Sequence, residues 1–348
     1  MLLRRNRSGA VVELGPFSVL MARLTRLEGP ACHFEQVAEV PAGDGEQIGR
    51  EFRRLFADAK AYVPGICGVF PPSRLLQREE INPRKLMEPD YLPNLLASQY
   101  KISADQWRVV LVSPYDGLPF DSRNPPIKEV LLCGESAAEL LAAQRRLLEL
   151  GVLPRRMEIE SLPVLGAVQS YLALLGEAQP AAVVEIDLDR TWVYILGKNG
   201  VHTPAPIEFG FQALLETACR EFGVEDRAAM RARLFTGDDE IVARSPRLLR
   251  QLVRNLKPAV DYFELQTGQR VNDLYCTFMP PGLAWLAQAL AASIEMQMLE
   301  VDCAAWLSAL GLTFNEEIRG HLGPHWLGLF SLIAQLGPSS HAKKTGRV

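Results

Sequence analysis

Two acidic turns carry the side chains best suited to handling a charged ligand. The first reads Glu13-Leu14-Gly15-Pro16-Phe17 and the second Glu185-Ile186-Asp187-Leu188-Asp189-Arg190-Thr191; each lies between two apolar runs. Asp187 and Asp189 also have the composition of a general acid–base pair, but on one hairpin tip they point to different faces and no nucleophile accompanies them. The plainer expectation makes Glu13 and Glu185 solvated hairpin acids, and Asp187 and Asp189 turn formers that bond nearby N–H groups. His321 and His325 have ligand spacing, yet Gly323-Pro324 breaks the helical face between them and predicts a helix-start loop. No P-loop, nucleophile elbow, dinucleotide fingerprint or metal cluster is present in the sequence, so no catalytic residue and no metal ligand is assigned.

The elements around those turns must place them. Residues 10–24 and 183–196 each read as apolar strand, acidic turn, apolar strand, which predicts two hairpins and an internal duplication. At 348 residues the chain is long enough for two domains with their own cores. It has 37 Lys and Arg against 41 Asp and Glu, and a net charge of −4 gives bulk electrostatics no role in binding nucleic acid. The basic start lacks an apolar h-region, and charged or amide residues interrupt every long apolar run. The expectation is a cytoplasmic chain without signal peptide or membrane span. Six scattered cysteines without a Cys-x-x-Cys pair read as small buried hydrophobes of a reducing compartment.

In chain order, residues 10–40 predict three strands turned at Gly29-Pro30, residues 46–62 an amphipathic helix, and residues 66–70 a buried strand. This βββαβ order opens a ribonuclease-H-like domain. Residues 73–143 change character and predict a small inserted α+β subdomain, with strands at 74–79, 107–113 and 129–133 and a helix at 89–99. Helices at 136–150 and 163–175 and a strand at 156–159 complete the first domain, 8–178. The second, 179–337, repeats the strands, then gives helices at 211–222 and 225–234, a long helix from Pro246, a strand at 273–277 and a helix from Gly282. Residues 326–336 predict a terminal core helix, and 338–348 a disordered polar tail.

Order and spacing together resemble the actin-like superfamily, and within it the PilM family of type IV pilus assembly proteins, with the type II secretion GspL cytoplasmic domain and FtsA more distant. The resemblance rests on both hairpins, the insertion, Leu150-Gly151-Val152, Asn199-Gly200-Val201, Glu208-Phe209-Gly210 and above all Asp261-Tyr262-Phe263-Glu264-Leu265-Gln266. It implies an α/β chain of actin-like fold: two ribonuclease-H-like domains with a small inserted α+β subdomain. It also implies an interdomain nucleotide site, whose phosphate turns would read Asp-Ile-Gly followed by hydroxylated residues.

Here those positions are degenerate. Glu13 stands for the Asp and Gly15 is kept, but Pro16 and Phe17 follow and the motif's lysine falls on Leu20. Glu185 and Thr191 match the second turn, whereas Asp187 replaces its glycine. The adenosine strand would end in Gly-Gly; this chain has Phe278-Met279, then Pro280-Pro281 and Trp285. Bulky rings and missing N–H donors there favour a pseudo-ATPase without a cofactor, the alternative being a Mg-ATP switch. By resemblance the partner is the short cytoplasmic segment of a PilN-like inner-membrane protein. Residues 71–80 and 107–113 flank the insertion and are the candidate groove walls. A sugar kinase fits less well, for want of phosphate loops and a catalytic carboxylate near a sugar pocket, and a filament-forming cytoskeletal protein is a third alternative that light scattering at increasing concentration would show or exclude.

Overall fold

The computed structural model describes residues 8–25, 27, 32–120, 128–176 and 179–334. The expected turn at Gly29-Pro30 and the tail 338–348 lie outside them. The first lobe opens with β1 (Gly9–Leu14), β2 (Ser18–Leu24), β3 (His33–Pro41), α1 (Gly45–Leu55) and β4 (Val63–Val69). The insertion follows with β5 (Leu75–Glu80), α2 (Tyr91–Leu95), β6 (Trp107–Val112) and β7 (Glu129–Ser136). The lobe continues through α3 (Ala137–Leu150), β8 (Val152–Ile159) and α4 (Ser161–Leu175). The second lobe begins with β9 (Ala181–Ile186), β10 (Thr191–Gly197), β11 (Gly200–His202), α5 (Phe211–Phe222) and α6 (Arg227–Thr236). Next come α7 (Asp239–Leu248), α8 (Arg250–Thr267), β12 (Asp273–Thr277), α9 (Ala284–Ser293) and β13 (Gln297–Met298). The described chain closes with α10 (Cys303–Ala309), β14 (Thr313–Phe314), α11 (Glu316–Arg319) and α12 (Leu327–Ala334).

The duplication is visible in the sheets. One has the order β14-β3-β2-β1-β4-β8, the other β11-β10-β9-β12-β13. In each, a three-stranded antiparallel meander continues through its first strand into parallel neighbours, so β1 and β9 are central. Both are apolar but for one glutamate each, GAVVEL and AAVVEI, because both faces are covered and every residue is buried. The insertion is a separate antiparallel sheet, β5-β7-β6.

Several local expectations change. Helix α1 stops at Leu55 rather than at 62, because Phe56 leaves the helical backbone with φ −121° and ψ 39°. The long helix expected from Pro246 is two helices. Asp238 caps α7 by accepting from Ile241 N–H at 2.9 Å, and Pro246 lies inside its last turn. The Val242 carbonyl that Pro246 cannot satisfy accepts instead from the Ser245 hydroxyl at 2.7 Å, and the chain bends at Leu249 into α8. The chain also crosses back: β14 pairs in parallel with β3, and α12 packs on α4, β1 and β4. The end of the stretch expected to form the second domain, 179–337, thus completes the first sheet and its cover. One continuous apolar cluster holds Val11 and Phe34 of the first lobe, Val183 and Tyr275 of the second and Phe330 of α12.

Candidate functional site

The two hairpin tips meet between the lobes, and the acids at the ends of β1 and β9 are not solvated. Glu13 and Glu185 are each 2% exposed, contrary to the expectation of hairpin surface acids. The cause is the covering layer: α12 lies over β1 so closely that a Cβ on Gly328 would overlap Glu13 Oε2. A third carboxylate, Glu160 at the start of α4, is fully buried beside them, with Ser331 Oγ donating to its Oε1 at 3.4 Å. Burial, and then the charges of Glu39 and Glu185, push the Glu13 carboxyl well above the ordinary carboxylate range. Burial and the Glu13 charge do the same to Glu160.

Glu185 has a compensating cation. Arg74, just before β5, is buried and its Nη2 donates to Glu185 Oε2 at 2.7 Å, while Nη1 stands 3.5 Å from Asp187 Oδ2. The same guanidinium lies over the Trp192 ring, 4.5 Å from its centroid, and Ser161 Oγ donates to Glu185 Oε2 at 2.8 Å. Burial raises the Glu185 carboxyl and Arg74 opposes that rise; burial would lower the Arg74 pKa, but the Glu185 and Asp187 charges and their neighbours carry it upward. Asp187 does form the turn as expected: its Oδ1 accepts from Leu188 N–H at 2.7 Å, and its own N–H donates to Arg190 carbonyl at 2.9 Å.

The remaining matched positions are turned away or filled. Thr191 is fully buried and its hydroxyl donates to the Phe209 carbonyl at 2.6 Å. Gly15 is kept for close packing, since a Cβ there would lie 2.7 Å from the Ser18 carbonyl oxygen. Phe17 leaves the first hairpin and enters the second lobe's core, edge-on to Phe211 at 5.1 Å and Phe235 at 6.1 Å between centroids. Leu20 is core. Phe278 has φ +60°, backbone that favours glycine, and its ring packs edge-on against Phe70 at 3.9 Å. Met279 and Trp285 are buried in the second core, with Trp285 Nε1 donating to Leu234 carbonyl at 2.8 Å.

Outside this plug lies a cleft of about 1090 Å³. Gly15, Asp187 and Asp189 border it, as do Leu75, Gln77 and Trp107 from the insertion, so parts of both expected walls reach it. Arg146, Arg190 and Arg231 stand around the same opening. The set does not fit a phosphate cradle: Arg74 occupies the acids, Thr191 faces elsewhere, and Phe278 covers the glycine-like backbone. Among the described residues no group of three His, Cys, Asp or Glu is arranged to hold a metal ion. His321 and His325 lie in a turn and a short 3-10 helix just ahead of α12. Sequence reading passed over Arg74, Glu160, Ser161 and Gly328. The available signals were a lone arginine and a lone Glu-Ser pair bordering apolar runs, and a glycine inside an otherwise apolar helix.

No family model matches the sequence, and no curated protein matches it. Among solved structures, the chain is similar to one in a "PilM-PilN type IV pilus biogenesis complex", with a TM-score of 0.69 and 13% identity, over 95% of this chain and 99% of that one. It is also similar to a diol dehydratase-reactivating factor in nucleotide-free form, with a TM-score of 0.51 and 9% identity, over 94% and 99%. The cytoplasmic domain of EpsL, an inner-membrane component of the Vibrio cholerae type II secretion system, matches more loosely, with a TM-score of 0.40 and 11% identity over 82% and 95%. The duplicated sheets and the inserted subdomain agree with the first two of these likenesses, and the chain has the actin-like fold.

Proposed function

We propose that this protein is a non-catalytic cytoplasmic scaffold of a type IV pilus or type II secretion inner-membrane platform, a pseudo-ATPase that binds the short cytoplasmic segment of a PilN-like membrane protein. The likeness to the PilM–PilN structure supports the setting. The observation that carries the non-catalytic reading is the plug: Arg74 between Glu185 and Trp192, and Phe278 with left-handed backbone against Phe70. A protein that holds its lobes together with its own side chains has no need of a nucleotide to do so. Attachment to the membrane is then indirect, and among the described residues no helix is long and apolar enough to cross one.

An extended peptide would use the wall formed by Leu75, Gln77 and Trp107 through apolar anchors and backbone bonds. The alternative is an ATP-binding switch of the same machinery. The open cleft and its arginines favour it, since Arg146, Arg190 and Arg231 could meet phosphates from the rim. Calorimetric titration with Mg-ATP to millimolar concentration separates the two. The expected result is no heat from the parent, together with saturable binding of a synthetic PilN-like N-terminal peptide. Saturable ATP binding by the parent would overturn the pseudo-ATPase, and a Phe278→Gly/Met279→Gly variant beside it reports whether the plug is what excludes nucleotide.

A further inference from the structure

The second lobe carries a groove that the reading above leaves unused. It runs between α8 and α9 with a volume of about 560 Å³, floored by Val253, Ala289, Ala292 and Ser293 and walled by Arg250 and Arg254. The floor offers little for hydrogen bonding: the Ser293 hydroxyl already donates to the Ala289 carbonyl at 2.7 Å. The walls are different in kind. Arg250, Arg254 and Lys257 follow one another at four- and three-residue steps along one exposed face of α8, opposite the buried Leu252, Leu256 and Val260.

Several arginines of the lobe have acidic partners that Arg250 and Arg254 lack. Arg227, Arg233, Arg244 and Arg247 are each ion-paired, to Glu216, Asp238, Glu240 and Glu221. Arg250 adds to the field that lowers the Glu221 carboxyl, behind the Arg247 hydrogen bond, but neither it nor Arg254 has an ion pair among the described residues. A protein of net charge −4 thus keeps two guanidinium groups without ion pairs along the α8 side of a groove whose other side is the small residues Ala289, Ala292 and Ser293 of α9. Guanidinium forks pair with carboxylates bidentately, and small residues allow another backbone to come close. A flat lipid surface could touch the arginines but not reach that floor.

We propose that the groove between α8 and α9 binds an acidic polypeptide segment of a partner protein, its carboxylates paired with Arg250 and Arg254 and its backbone seated over Ala289 and Ala292. The site lies apart from the interlobe cleft, so its occupation does not depend on the pseudo-ATPase reading. Such contacts weaken with salt because the pairs are solvent-accessible.

The test uses fluorescein-labelled decaglutamate and decaglutamine in anisotropy titrations of the full chain at low and moderate salt. Saturable decaglutamate binding is expected, at least tenfold weaker for decaglutamine, for an R250Q/R254Q variant and for A292W, which fills the groove without changing charge. An R319Q control on the other lobe should bind like the parent, and A292Q repeats the steric test should the tryptophan disturb the fold. The proposal is overturned if the parent does not bind, if decaglutamine binds equally, or if either the charge or the groove variant leaves affinity unchanged. Capture by phosphatidylglycerol vesicles without decaglutamate binding would also overturn it, in favour of an anionic lipid surface.

Discussion

Arg74 is the cation that neutralises a buried carboxylate from the opposite lobe. Removing one member of a buried pair costs about 3–5 kcal/mol, whereas replacing both by apolar residues of similar volume is often neutral or better. Denaturant unfolding should therefore find Arg74→Ala destabilising by about that amount and Arg74→Met/Glu185→Leu close to the parent. Equal losses in both would mean that the pair contributes through hydrogen bonds to its neighbours, not through charge. Phe278 allows a sharper test. Deleting its ring costs roughly 3–5 kcal/mol of packing against Phe70, but left-handed backbone itself costs a non-glycine residue about 1–2 kcal/mol. Phe278→Gly is thus expected to be the milder substitution by about 1 kcal/mol, the reverse of the usual order, and Phe278→Ala proving milder would refute the strained backbone.

At the scale of elements, the first hairpin joins the lobes by sending Phe17 into the second core. Phe17→Ala should lose roughly 3 kcal/mol, and hydrogen exchange should speed up both at the hairpin tip and around Phe211 and Phe235. Faster exchange at the tip alone would count against the staple. The hairpins themselves were legible in the sequence, because a central strand covered on both faces is apolar nearly throughout, Glu13 and Glu185 being the exceptions. The burial of Glu13 and Glu185 was not, because it depends on α12 and Arg74, which come from distant parts of the chain. Phe278 was singled out by its place in the motif, while its backbone strain is a property of the folded chain alone. The α7–α8 break was missed for a local reason: Pro246 was read as a helix start, and only the Ser245 hydroxyl bond makes it tolerable inside a last turn.

The whole molecule inherits an unusual titration from its buried acids. Glu13, Glu160 and Glu185 have raised pKa values, first through burial, and burial together with Glu139 pushes Glu135 up to about 7. Their folded forms hold protons more tightly than the unfolded chain, so stability falls as pH rises from the ordinary value of 4.5, for Glu135 over the window from 4.5 to about 7. Hydrogen bonds from Arg247, Arg78 and Arg233 lower Glu221, Glu129 and Asp238, and the stability these acids add is lost as pH falls through their folded values. Scanning calorimetry should place the highest melting temperature in mildly acidic solution and show a decline toward pH 8, which Glu160→Gln flattens. A profile that rises toward pH 8 would contradict the upward shift of the buried acids. The return of β14 and α12 to the first sheet has a further consequence, for biosynthesis. A ribosome that has delivered residues 1–300 has released a first lobe still lacking an edge strand and the helix over β1. That lobe cannot mature vectorially ahead of the second, and the two must reach their final state together, only after the last segment has left the exit tunnel.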